Sequence, residues 1–132
     1  MTCNRIFQTI RAGDVAAMED ILRSNPESVH DRDDNGWTPL HLVASLGSKT
    51  RPMHMDIARL LLASGAVINA RTALGWTPIH MIAINGSKES VGVATCLIEH
   101  GADLGAKDHR GADWKTHWQH GHEIRKLLSD QD

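Results

Sequence analysis

A hexapeptide occurs twice in this chain. Gly36-Trp37-Thr38-Pro39-Leu40-His41 returns as Gly75-Trp76-Thr77-Pro78-Ile79-His80. The agreement continues downstream. Leu42-Val43-Ala44 corresponds to Met81-Ile82-Ala83, and Gly47-Ser48-Lys49 to Gly86-Ser87-Lys88. A second apolar segment follows in both copies, Ile57-Ala58-Arg59-Leu60-Leu61-Leu62 and Val93-Ala94-Thr95-Cys96-Leu97-Ile98. Each copy then closes on Gly-Ala, at Gly65-Ala66 and Gly101-Ala102. Self-similarity on this scale means one small structural unit used repeatedly, and it constrains the fold more than any other feature. A unit with a single apolar face cannot bury that face alone, so the units must stack.

Each unit reads as two short helices. Thr38 and Thr77 suit the N-cap, where a hydroxyl accepts from a backbone N–H left without a partner. Pro39 and Pro78 then fall at the first helical position, where a missing N–H costs nothing. Gly47 and Gly86 suit the left-handed turn that ends a first helix. Asp56 is expected at the start of a second helix, where the helix dipole favours an acid. Gly65 and Gly101 are expected to end the second helices, and polar, hairpin-like loops lead on to the next Thr-Pro.

Thr38-Pro39-Leu40-His41, and Thr77-Pro78-Ile79-His80 with one conservative change, resemble the ankyrin repeat, whose first helix opens on this motif and whose second ends on Gly-Ala. The resemblance implies an all-α solenoid: helix-turn-helix units joined by β-hairpin-like loops, with Thr38, His41, Thr77 and His80 bonding within and between repeats. The expected organisation is a single domain over residues 1–132. It comprises an N-terminal capping repeat over 1–33, repeats over 34–72 and 73–108, and a C-terminal capping repeat over 109–132. The two Gly-Trp-Thr-Pro starts lie 39 residues apart, against a family period of about 33. The extra residues fall between the two helices of each middle repeat, at 48–55 and 87–91. These insertions are expected to project from one edge of the stack as a joint lip.

Bulk properties exclude several classes. A net charge of −2 over 132 residues does not favour general nucleic-acid binding, which needs clustered Lys and Arg. No apolar run approaches the roughly 20 residues that span a bilayer, and Met1-Thr2-Cys3-Asn4-Arg5 lacks the long apolar stretch expected of a secretory signal. Two cysteines, Cys3 and Cys96, are too few for a disulfide framework. A cytoplasmic protein is expected. Cys96, among apolar residues, is read as a small hydrophobe.

Nine histidines invite a metal reading. His41 and His80 belong to the repeat motif. His109, His117, His120 and His122 cluster near the C-terminus, and His117 and His120 share helical spacing, but no cysteine completes a tetrahedral set. Met53-His54-Met55 mixes soft ligands that suit copper, although apolar anchoring of the insertion explains it as well. No nucleophile motif or phosphate loop is present. The chain is therefore read as no enzyme, with no metal and no cofactor.

Binding has positive signals. The resemblance implies that a protein partner meets the concave face, built from hairpin tips and first helices. Trp37 and Trp76, one repeat apart, are expected there as aromatic anchors; the competing reading packs each indole along the stack. Leu74 adds an apolar neighbour, and Asp34, Asn35, His109 and Arg110 a polar rim. Ser45, Leu46, Ile84 and Asn85 come from the first helices, and Lys49 and Arg51 make the lip basic. Charge is segregated along the chain: residues 1–35 carry net −3 and residues 36–72 net +3, a polarity able to orient a partner. The expected function is a monomeric protein-binding module without nucleic-acid or membrane targets. It acts as a stoichiometric enzyme inhibitor, of the kind an immunity protein is, which the small single domain favours. The alternatives are an adaptor that co-localises partners and, more distantly, a histidine-based metal-binding protein.

Overall fold

The computed structural model describes residues 5–46, 49–85 and 88–111. Among these residues there are six α-helices, 3₁₀ turns at Pro26–His30 and Lys88–Ser90, and no strand. The helices come in consecutive pairs: α1 (Arg5–Ala12) with α2 (Val15–Ser24), α3 (Pro39–Ser45) with α4 (Pro52–Ala63), and α5 (Pro78–Asn85) with α6 (Val91–Glu99). The 3₁₀ turns, Pro26–His30 and Lys88–Ser90, follow α2 and precede α6. First helices pack on first helices, α1 on α3 on α5, and second helices on second helices, α2 on α4 on α6. This two-layer stack is the all-α solenoid expected from the repeat. The expected C-terminal repeat, with His117, His120 and His122, lies from residue 112 onward outside the described residues.

The core runs unbroken between the layers. Ile10, Leu40, Ile79 and Ile82 enter it from the first helices, and Met18, Ile57, Leu61 and Leu97 from the second. Burying each such side chain contributes about 1.5–3 kcal/mol. Cys96 is buried with them, and burial pushes its thiol pKa up. It is a packed hydrophobe, as its neighbours in sequence suggested.

Helix starts follow two schemes. Asp14 caps α2 through its side chain, accepting from the Ala17 N–H at 3.0 Å. At α3 the cap is reciprocal. The Thr38 N–H donates to His41 Nδ1 at 3.1 Å, and the Thr38 hydroxyl lies 2.8 Å from the same nitrogen. α5 repeats this with Thr77 and His80, at 3.1 and 2.9 Å. Both second helices before Gly-Ala end in paired bonds. Ala66 and Gly65 donate to Leu61 and Leu62, and Ala102 and Gly101 to Leu97 and Ile98, the Schellman arrangement that satisfies terminal carbonyls.

The first insertion departs from expectation. Residues 52–55 do not project as a loop but form the first turn of α4, which starts at Pro52 rather than Asp56. Pro52 presets the helical φ, and the Arg51 N–H donates to His54 Nδ1 at 2.9 Å. Arg51-Pro52-Met53-His54 thus rebuilds the cap of Thr38-Pro39-Leu40-His41 at the opposite end of the unit. In the second insertion the 3₁₀ turn Lys88–Ser90 leads directly into α6.

Candidate functional site

The loops between repeats are hydrogen-bonded hairpins built on one polar residue each. Asp33 Oδ1 accepts from the N–H groups of Asn35 and Trp37, both at 2.9 Å. Thr72 Oγ1 does the same for Leu74 and Trp76, both at 3.2 Å. Asp108 Oδ1 accepts from the Arg110 N–H at 2.9 Å. A short oxygen two residues before the tip is what such turns need. Gly36 and Gly75 sit inside these turns with φ of +79° and +84°.

Successive hairpins touch through their backbones. The Ala73 N–H donates to the Asn35 carbonyl at 3.2 Å, and the His109 N–H to the Leu74 carbonyl at 3.1 Å. Two arginines brace the row. Arg32 donates to the Gly36 carbonyl of its own hairpin and the Arg71 carbonyl of the next, each at 2.7 Å. Arg71 likewise reaches the carbonyls of Gly75 and Lys107. Neither arginine was among the residues singled out by sequence. The signal was there, since each stands four residues before the hairpin glycine, but the second of its two partners lies a whole repeat away.

A third tie comes from His41. Its Nδ1 accepts from Thr38, so the ring proton sits on Nε2, which donates to the Trp76 carbonyl at 2.8 Å. Burial is the main cause that lowers the His41 pKa to about 4, so the ring is neutral near pH 7. The motif histidine is thus a structural bridge between repeats. His54 has the same commitments: Nδ1 to Arg51 and Nε2 to the Ile10 carbonyl at 2.8 Å. With both ring nitrogens engaged, Met53-His54-Met55 is closed to a copper ion unless α4 is uncapped.

The expected binding residues separate into two groups. At the hairpin tips Asp34, Asn35, Leu74, His109 and Arg110 are exposed and adjacent along the row. Leu74 is 52% exposed, one of two large hydrophobics so displayed among the described residues. Trp37 and Trp76 are half-buried and pack against the core. The Trp76 indole N–H donates to Asp108 Oδ2 at 3.0 Å, fixing the ring to the following hairpin. Each indole therefore serves the stack with some of its surface and shows the rest to solvent. The second group lies at the far ends of the first helices, about 10 Å away by the helical rise along α3. Ser45, Leu46 and Ile84 are half-buried there, and Asn85 closes α5. The Ser45 hydroxyl is turned back onto the Leu42 carbonyl at 2.9 Å. Lys49 and Arg51 are exposed beyond α3 and do not belong to the tip row.

Paired helices, Thr-Pro-x-His caps and stacked hairpins define a repeat protein whose units are held together by hydrogen bonds from one repeat to the next. The family model of ankyrin repeats, in three copies, matches residues 6–108, and the chain belongs to the ankyrin-repeat family. A search of curated proteins finds no match. Ankyrin repeats are, in general, non-catalytic modules for protein–protein interaction, and this chain carries that architecture. No helix among the described residues is long and apolar enough to cross a membrane.

Proposed function

We propose that the chain engages one protein partner through its hairpin tips and the adjoining ends of α3 and α5, and acts as a stoichiometric inhibitor by covering that partner's working surface. The observation that carries this is Leu74, half exposed on a backbone already tied to both neighbouring hairpins. An apolar side chain held out on a pre-ordered backbone loses little entropy on binding. Asp34, Asn35, His109 and Arg110 supply the polar rim, and the open faces of Trp37 and Trp76 the aromatic surface that hot spots favour. The chain is read as a monomer when free, working in the cytoplasm on a protein rather than on nucleic acid or membrane. A partner of ordinary size would cover about 800 Å² of it.

The test is capture from the native cell with the intact chain and two variants. L74D alters the tip row. V67D alters Val67, which is 55% exposed but lies on the turn after α4. A protein bound one-to-one by wild type and V67D but lost with L74D, and inhibited at equimolar chain, is the expected result. Retention by L74D would overturn the surface, and binding without loss of the partner's activity would overturn the inhibitor role.

A further inference from the structure

Beyond the far end of α3, three cations from two repeats surround one cleft. Arg11 closes α1, and Lys49 and Arg51 flank the turn into α4. Together with Ala12 and His54 they line a cavity of about 440 Å³. Among the described residues no carboxylate lines it. Among the described residues the ion pairs are Arg23–Asp20 and Arg59–Asp56, so none of the three cations is paired. The convergence is built in. His54 ties the Arg51 N–H to the Ile10 carbonyl, and so sets the start of α4 against the end of α1. The insertion that supplies Lys49 and Arg51 is also what lengthens this repeat beyond the family period. Like charges held together on a fixed frame repel one another, and an anionic ligand relieves that repulsion.

We propose that this cleft takes the carboxylates of an acidic segment of the protein partner. The proposal rests on the reading of the chain as a protein-binding module and adds a second contact to it, at the opposite end of the first helices from Leu74. Three cations match a run of two or three carboxylates in charge, and the two guanidiniums suit carboxylate geometry. The cleft is open at the surface, as its exposed Arg11, Lys49 and Arg51 require, so an extended peptide can lie across it.

The experiment uses a fluorescently labelled hexaglutamate peptide and the full chain, read by anisotropy at low ionic strength. Wild type should bind it. R11E and R51E should each weaken binding about tenfold, in keeping with loss of close charge pairs. R59E should leave binding unchanged, because Arg59 lies outside the cleft beside Asp56. L74D should also bind normally, which separates this contact from the tip row. No binding by wild type, or equal weakening in R59E, would overturn the proposal. So would displacement of the peptide by millimolar inorganic phosphate, which would make the cleft a small-anion site. The tip-row reading survives each of these results, since it stands on capture by wild type and its loss in L74D.

Discussion

His41 is a polar residue in a core position. It is fully buried, both ring nitrogens are bonded, and its pKa falls from 6.5 to about 4. In the unfolded chain the ring takes up a proton near pH 6.5, whereas in the folded chain it resists until about pH 4. Between those values the unfolded state binds more protons. Its contribution is therefore complete above pH 6.5 and is lost as pH falls towards 4, by up to about 3 kcal/mol. Urea titrations at pH 7 and 4.5 check this. An H41Q variant should be weaker at pH 7 yet lose less stability on acidification than wild type. Equal losses in both would remove His41 from the acid response. This role was legible, because Thr38-Pro39-Leu40-His41 names it. That of His54 was not. Arg51 replaces the threonine and hides the motif, although the donor the two caps share is the backbone N–H rather than the hydroxyl.

At the scale of elements, helix pairs were legible from apolar runs between Thr-Pro and Gly-Ala. The start of α4 was not, because Met53-His54-Met55 beside an expected insertion reads equally as loop or helix until its cap is seen. Hairpin stacking was also hidden, since backbone bonds between tips leave no side-chain signature. The glycines make it testable. Gly36 and Gly65 both have positive φ, +79° and +99°, so alanine at either meets the same backbone penalty. They differ in what lies nearby. A Cβ on Gly36 would stand 2.9 Å from the Ala73 nitrogen, which donates to Asn35, whereas a Cβ on Gly65 meets nothing within 4 Å. G65A should cost about 1 kcal/mol and G36A about 2 kcal/mol or more, since the latter must also push neighbouring hairpins apart. Urea midpoints of the two variants decide it. Equal destabilisation would mean that the tips do not bear on one another.

Across the whole molecule, stability in a stacked array is set by the interfaces between neighbours. Between the second and third helix pairs, together with the hairpins that lead into them, there is a full set of ties: His41 to Trp76, Arg32 to Arg71, and Asn35 to Ala73. The first repeat lacks a Thr-Pro-x-His motif, so no such histidine reaches forward from α1. The tie instead runs backward, from His54 in α4 to the Ile10 carbonyl. Among the described residues that makes His54 the hydrogen-bonded link between the first helix pair and the rest, with apolar packing of α1 on α3 and α2 on α4 around it. Native-state hydrogen exchange resolves such units separately. In H54A, amides of α1 and α2 should exchange at least about tenfold faster, corresponding to roughly 1.4 kcal/mol or more of lost coupling. Those of α3 and α5 should change little. In H41A, protection should fall in α3 and α5 instead. A uniform loss over all helices in H54A would mean that the stack unfolds as one unit, and that the backward tie adds stability without dividing the molecule. A selective loss would make the first repeat a separable cap. Because Arg11 belongs to that cap and Lys49 and Arg51 do not, the same substitution should also weaken hexaglutamate binding while leaving every cation of the cleft in place.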